Sequence, residues 1–305
     1  MFAAVRGRRM LGPRRRTAVA AVVVALVLAS APRAAAADLW TETGQSLTSV
    51  NYWQGVTFDV SARTFLFDGP ATGLWRTTAN LTRLAGKSAG IPSSVKSAEG
   101  WNHLGDLSFD ATGGGRLIVP LECYYPSASD PNTCKTGGLG VVDPVTLAWR
   151  YYVKLDPTEI RKAMWAEVSP DGNWVWTSTG TDLLAYSASD VSAANAGPPG
   201  TPLTARKRVA GVLRASSVSG AAFWGDRLYL AYDRGSYIQV LSYPVDPATG
   251  DVGTAWRLEI QRTKSSSLYE TEGLAFADAL GGVLHWQVQP KTPLYSRIIH
   301  FTPAG

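Results

Sequence analysis

A five-residue phrase recurs five times along this chain and constrains its fold more than any other feature. Each copy leads from a small or polar residue into an apolar strand, and the copies occupy residues 54–58, 105–109, 166–170, 219–223 and 272–276. Their first residues, 54, 105, 166, 219 and 272, are therefore 51, 61, 53 and 53 positions apart. A period of about 40 to 50 residues with several short strands per unit is typical of a β-propeller blade. The repeat predicts an all-β chain built as a propeller.

The strands that follow each phrase predict the number of blades and how the ring closes. The second, third and fourth repeats each continue into three further apolar segments, whereas the fifth has only two before the sequence ends, at residues 283–287 and 297–301. Residues 39–50 form a strand-like segment ahead of the first repeat and can supply the missing strand, which would hide two sheet edges. Five blades closed by the N-terminal strand are favoured. Six blades stay open, because the long second interval has room for a degenerate one.

The first 37 residues have the pattern of a signal peptide. A basic stretch with six arginines precedes an apolar run at residues 18–28, and small residues at 35–37 offer a cleavage site. The apolar run is too short to span a bilayer comfortably. We expect a secreted, extracellular protein whose mature part, residues 38–305, is a single propeller domain.

Charge argues against nucleic acid as a partner. The full chain has 29 basic and 24 acidic residues, but seven arginines and no acid lie in residues 1–37, so the mature chain has 22 and 24, a net charge of about −2. Nucleic-acid binding depends on a basic excess that this domain lacks. No second long apolar run is present, so we expect no membrane association after signal cleavage. No phosphate-cradling glycine loop or dinucleotide motif occurs, so no nucleotide cofactor is expected.

The chain has two cysteines, Cys123 and Cys134. In an exported protein a closely spaced pair predicts a disulfide, here closing a small loop.

Aromatic and polar residues concentrate where the inner strands begin, and we expect them to meet at one rim of the ring. Phenylalanines of the phrases, such as Phe58, Phe109 and Phe276, are expected to pack between blades. The aromatic residues just before the inner strands are Tyr52, Trp53, Trp101, Trp165 and Tyr269. The polar candidates on the same rim are Gln54, Asn102, His103, Asp106, Glu122, Glu167, Ser178, Ser219, Asp233, Glu270 and Glu272. Together they predict an acidic axial pocket ringed by aromatic residues.

This pocket allows three functional interpretations. Oxygen ligands from Glu272, Gln54 and Asp106 can hold a hard cation such as calcium. Asp106 with Glu167 or Glu122 can supply a general acid and base, with His103 as a proton shuttle. The rim can also bind a small polar or carbohydrate-like ligand without turnover, through residues Trp53, Gln54, Trp101, Asn102, Glu122, Trp165, Tyr269 and Glu270. The alternative is a non-catalytic protein-interaction or structural propeller.

The phrase Glu272-Gly273-Leu274-Ala275-Phe276, and in part Gln54-Gly55, resembles the calcium-dependent propeller superfamily of gluconolactonases, senescence-marker proteins and strictosidine-synthase-like proteins. In that family the first residues of such phrases bind calcium on the axis. The resemblance implies a metal-dependent, lactonase-like hydrolase. Gly105, Ala166 and Ser219 stand where the family places an Asn, Asp or His ligand.

The first blade also resembles that of the plant-type glutaminyl cyclases, another five-bladed propeller. The similarity covers Tyr52-Trp53-Gln54-Gly55 and residues 65–69. At the opening of the next blade, where those enzymes have Glu-Gly, this chain has His103-Leu104-Gly105-Asp106.

Overall fold

A computed structural model describes residues 39–69, 72–123, 134–198, 200–214, 217–292 and 294–305. The predicted signal peptide, residues 1–37, and the loop between the cysteines, residues 124–133, lie outside the described residues. The sheets of the described chain form five blades in a ring. The prediction of a five-bladed propeller is therefore confirmed, and the six-blade alternative is not.

Each blade is an antiparallel sheet whose strands follow one another outward from the inner strand, with two local departures. In the second blade β6 and β7 both pair with β8, and in the fourth β18 and β19 both pair with β17. The chain begins with β1 (Trp40–Thr48), and the first blade contains β2 (Gly55–Asp59), β3 (Thr64–Gly69), β4 (Gly73–Thr78) and β5 (Arg83–Lys87). A short helix, α1 (Ser93–Glu99), follows and ends at Gly100, whose left-handed φ of 82° suits a residue without a side chain. The second blade contains β6 (His103–Leu104), β7 (Ser108–Asp110), β8 (Arg116–Glu122), β9 (Gly138–Val142) and β10 (Trp149–Lys154).

The remaining blades repeat this order. The third contains β11 (Glu167–Val168), β12 (Trp174–Thr179), β13 (Asp182–Ser187) and β14 (Lys207–Val209). The fourth contains β15 (Val218–Trp224), β16 (Arg227–Arg234), β17 (Tyr237–Asp246), β18 (Asp251–Val252) and β19 (Arg257–Thr263). The fifth contains β20 (Glu270–Ala279), β21 (Gly282–Gln289) and β22 (Ser296–Pro303). Short 3-10 turns occupy Thr112–Gly114 and Ala193–Asn195.

The N-terminal strand closes the ring as predicted. Strand β1 pairs antiparallel with β22, with Trp40 opposite Pro303 and Thr48 opposite Ser296. This pairing completes the fifth blade in the order β1-β22-β21-β20 and covers the edge that β22 would otherwise expose.

The core lies between blades rather than within one sheet. Buried apolar side chains form five clusters, one for each pair of neighbouring blades. Second strands such as β3 and β8 are almost continuously buried because both of their faces are covered, whereas the outer strand β5 is largely exposed. In the part of the chain that is described, no helix combines the length and apolar character needed to cross a membrane.

Candidate functional site

The axis of the ring is filled by the carboxylate of Asp106, the second residue of the second phrase. Asp106 is fully buried. Its Oδ1 accepts a hydrogen bond from the Val56 backbone N–H at 2.9 Å, and its Oδ2 accepts from the N–H groups of Ala221 at 2.9 Å and Leu274 at 3.4 Å. These donors belong to the inner strands of the first, fourth and fifth blades. One side chain of the second blade therefore ties three other blades together.

Glycines at the same position of the other phrases make room for this carboxylate. A Cβ atom at Gly55 or Gly220 would lie 2.8 or 2.9 Å from an Asp106 carboxylate oxygen, and one at Gly273 would lie 2.6 Å from Oδ1. Such distances are shorter than non-bonded contacts allow. The recurring glycine of the repeat is thus explained by close approach at the axis.

Glu167 occupies the equivalent position in the third phrase but points towards the opposite end of the axis. Its Oε1 accepts a hydrogen bond from the backbone N–H of Phe223, the last residue of the fourth phrase, at 3.0 Å. Its carboxyl lines a cavity with residues that end the phrases, including Phe109 and Phe276. Burial raises the pKa of Glu167 to about 8, and hydrogen bonds from Ser108 and Phe223 only partly oppose that rise.

We name the two ends of the axis by the direction of the inner strands: the front face is where these strands begin, and the back face is where they end. Ionisable side chains gather at the front face. This front-face cluster consists of Asp68, His103, Glu122, Glu270 and Glu272. All except Glu270 are buried.

His103 and Glu122 form a hydrogen-bonded pair within this cluster. They lie opposite each other in the pairing of β6 with β8, and His103 Nδ1 is 2.7 Å from Glu122 Oε1. Glu122 directly precedes Cys123, which is disulfide-bonded to Cys134 as predicted. The covalent link fixes the strand end that carries the carboxylate.

Burial and electrostatic repulsion raise the pKa values of two other members of the cluster, Glu272 and Glu270. The pKa of Glu272 is raised well above its ordinary range, first by burial and then by the nearby carboxyl groups of Glu270, Asp68, Asp106 and Glu122. Burial and Asp233 raise the pKa of Glu270, while Lys264 and His103 act in the opposite direction. A carboxyl group whose neutral form is favoured in this way can donate its proton to a bound molecule.

Asp68 belongs to the cluster, although the sequence analysis missed it. It lies in β3 opposite Gly55 and is fully buried. Within the described part of the chain, neither carboxylate oxygen has a hydrogen-bond partner. Burial and the nearby Glu122 carboxyl raise its pKa well above normal. The backbone N–H groups of Asp68 and Gly55 lie close enough to oppose this rise in part, although neither makes a hydrogen bond of normal geometry to the carboxylate. The sequence feature that could have identified Asp68 is its position near the end of a second strand, which corresponds to that of Glu122 at the end of β8.

The aromatic rim differs from the prediction. Trp101 and Trp165 are fully buried, and their indole N–H groups donate to the carbonyl of Thr136 and the hydroxyl of Ser178, each at 2.8 Å. Their rings are packing elements here and present no face to a ligand, which corrects the expectation of an aromatic platform.

The other predicted aromatic residues differ in exposure. Tyr52 is buried and stacks on Phe67 with ring centroids 4.6 Å apart. Trp53 is half-buried, and Tyr269 is 41% exposed with Lys264 and Lys291 over its ring. Trp53 and Tyr269 are therefore the two that a ligand can reach.

The remaining predicted residues lie at the same end of the axis. Gln54 and Asn102 are half-buried, with backbone N–H groups that donate to the carbonyls of Asp68 and Glu122. The structure thus brings His103, Glu122, Glu270 and Glu272 together, and it separates Glu167 from them. Asp106 lies between the two ends.

The arrangement of donors does not fit calcium on the axis. Both Asp106 oxygens face backbone N–H groups, which leaves them poorly directed for a cation. Among the described residues, no group of three or more His, Cys, Asp or Glu side chains is arranged to hold a metal ion. Calcium binding by Glu272, Gln54 and Asp106 stays a prediction.

Comparisons with known proteins support the fold alone. No known family profile and no curated protein matches the chain. Among solved structures, a GH43 glycoside hydrolase engineered to display endo-xylanase and exo-arabinofuranosidase activity is similar with a TM-score of 0.53 and 9% identity, over 85% of this chain and 52% of that one. This chain thus spans about half the length of that enzyme.

Two further solved structures are similar at lower TM-scores. The PQQ-bound aldose sugar dehydrogenase of Streptomyces coelicolor has a TM-score of 0.44 and 11% identity, over 86% of this chain and 97% of that one. The Cps50 (Swd1) β-propeller domain of Myceliophteria thermophila has a TM-score of 0.42 and 10% identity, over 87% and 100%. Membership of the calcium-dependent superfamily stays a prediction.

Proposed function

We propose that this protein is an exported β-propeller that binds a small polar, carbohydrate-like ligand at the front-face cluster and hydrolyses it. The observation that carries the proposal is the juxtaposition of Glu272, a carboxyl group with a strongly raised pKa, and the His103–Glu122 hydrogen-bonded pair. Hydrolysis of a glycosidic or related bond needs one group that gives a proton and another that accepts one from water.

The roles follow from the surroundings of each group. Glu272 is the proton donor, because burial and the neighbouring carboxyl groups favour its neutral form. Glu122 is the proton acceptor, and His103 orients it from 2.7 Å. Asp68, buried without a hydrogen-bond partner among the described residues, supplies an acceptor for a ligand hydroxyl. Tyr269 and Trp53 provide ring surface at the margin.

Export and a sugar-like ligand have separate support. The Cys123–Cys134 disulfide is typical of an oxidising compartment outside the cytoplasm. The fold is shared with a glycoside hydrolase that displays xylanase and arabinofuranosidase activity. In that protein the fold carries the active site of a glycoside hydrolase. In this chain the groups suited to such a reaction are the front-face carboxyl groups.

The test is hydrolysis of a panel of xylo-oligosaccharides, arabino-oligosaccharides and sugar lactones by the purified mature protein. We expect turnover of at least one member. Glu272→Gln and Glu122→Gln should each lower kcat/KM by about 100-fold or more while the protein stays folded. The control is Asp251→Asn, which removes an exposed carboxylate of the fourth blade that pairs with Lys207 of the third blade. This variant should leave kcat/KM unchanged. Binding without turnover would contradict hydrolysis and favour the non-catalytic alternative.

A further inference from the structure

The back face has a cavity that the front-face chemistry does not use. It encloses about 250 Å³ at the end of the axis opposite the front-face cluster. Its walls include the last residues of all five phrases, which are Phe58, Phe109, Pro170, Phe223 and Phe276. Phe109, Phe223 and Phe276 are only partly buried and line the cavity, and Phe276 also stacks on Trp224 with ring centroids 5.6 Å apart. A volume of this size suits a small organic molecule.

A single carboxyl group without a basic partner lies in this aromatic cup. Glu167 lines the cavity and accepts one backbone hydrogen bond, from Phe223. Asp110 also lines it but is ion-paired with Arg116, whose Nε lies 2.7 Å from the Asp110 carboxylate. The other guanidinium nitrogens of Arg116 donate to the carbonyls of Val191 and Ala188. None of the described residues that line the cavity is a lysine or an arginine. Arg116 lies behind Asp110 and is already ion-paired with it.

Aromatic walls combined with one uncompensated acid complement a particular class of ligand. Ring faces attract cations, and the attraction strengthens when the cation is removed from water. A carboxylate in a largely apolar cavity gains most from a positive partner, because its charge is poorly hydrated there. A neutral apolar ligand would contact the rings but would leave the carboxylate charge without a positive partner.

We propose that the back-face cavity binds a small organic ammonium ion, with the four phenylalanine rings around its alkyl groups and Glu167 as its counter-ion. This site is independent of the proposed hydrolytic site, since Asp106 fills the axis between them.

The raised pKa of Glu167 agrees with this assignment. Because burial raises the pKa of Glu167 to about 8, its carboxyl group is partly protonated near pH 8. An ammonium ion favours the ionised form, so its binding should strengthen as pH rises from 6 to 9. The other acids near Glu167 are Asp106, on the axis, and Asp110, paired with Arg116.

The experiment compares choline with its uncharged carbon analogue dimethylbutanol, in which a carbon atom replaces the nitrogen. Calorimetric titration of the mature protein at pH 8.5 should show choline binding at least about ten-fold tighter than the analogue. Glu167→Gln should abolish that preference, and Phe276→Leu should weaken choline binding several-fold. Asp278→Asn removes an exposed acid two residues beyond Phe276 and should leave choline binding unchanged, which separates a specific site from general surface charge.

Three outcomes would overturn the proposal. They are equal affinity for choline and its analogue, choline binding that survives Glu167→Gln, and no choline binding at millimolar concentration. Should Glu167→Gln fail to fold, the pH series on the unaltered protein decides the matter. Affinity for choline that does not rise between pH 6 and pH 9 would then refute the assignment.

Discussion

The two ends of the propeller axis are built from the same repeat yet differ in chemistry. The front face gathers four carboxyl groups and a histidine, whereas the back face has a cavity with phenylalanine walls and one carboxyl group, Glu167, that lacks a basic partner. Asp106 and Glu167 make the contrast clearest, because they hold the same position in neighbouring phrases. Asp106 accepts three backbone hydrogen bonds and joins blades, while Glu167 accepts one and faces a cavity. Equivalent positions in a repeat can therefore serve structure in one blade and binding in the next.

The largest expected effect tests Asp106 as a structural bridge. Asp106→Ala leaves three buried N–H groups without an acceptor, and each such group costs about 1–3 kcal/mol. We expect the free energy of unfolding to fall by about 4 kcal/mol, measured by urea denaturation at pH 5.5. Glu167→Ala is the matched control, since it removes an acceptor from one N–H group and should cost about 1 kcal/mol.

Equal losses from the two alanine variants would remove the distinction between the bridge and the cavity acid. A loss below about 1 kcal/mol for Asp106→Ala would mean that the ring does not depend on the axial hydrogen bonds.

The overall fold and part of the front face could be predicted from the sequence, whereas the packing at the axis could not. The spacing of the phrases predicted five blades, and the strand missing from the fifth repeat predicted closure by residues 39–50. Both features depend on the pattern of apolar residues within short segments, which can be recognised without knowing the contacts between distant residues. The phrases also placed Glu272 and His103 on one rim. The burial of Trp101 was not predictable, because its ring occupies space left by Gly138, where a Cβ would lie 2.5 Å from the indole. That partner is 37 residues away in the sequence and belongs to another strand.

The direction of the Glu167 side chain was equally hidden. The alignment of the phrases gives its position on an inner strand but not the end of the axis that it faces. The centre of the axis is already filled by Asp106, for which Gly55, Gly220 and Gly273 leave room, and these neighbours come from other blades.

The second prediction separates the faces through the disulfide. The double variant Cys123→Ser/Cys134→Ser opens a covalent loop with a sequence separation of 11 residues and should lower the free energy of unfolding by about 3 kcal/mol. Glu122 adjoins Cys123, so hydrolysis at the front face should also decline. Choline binding at the back face should persist at temperatures where the variant is folded. Parallel loss at both faces would show that the link supports the whole ring rather than one end.

The smallest effect concerns the pH dependence contributed by Glu167. Its pKa in the folded protein, about 8, lies above the ordinary value of 4.5, so the folded state holds this proton more tightly than the unfolded chain does. The group therefore contributes stability at low pH that is lost as pH rises from about 4.5 to 8, and the loss is complete above pH 8. Glu167→Gln removes this loss and keeps an oxygen for the Phe223 N–H.

We expect the stability of Glu167→Gln to match the unaltered protein near pH 4.5 and to exceed it by about 2 kcal/mol at pH 9, a value reduced to allow for the solvent that reaches the cavity. Urea denaturation at the two pH values provides the measurement, with Asp278→Asn as the control that should show no such divergence. Saturating choline should shrink the difference, because the ammonium ion stabilises the ionised Glu167 of the unaltered protein alone. A gain of equal size at both pH values would show that the substitution improves packing and that the carboxyl carries no buried charge.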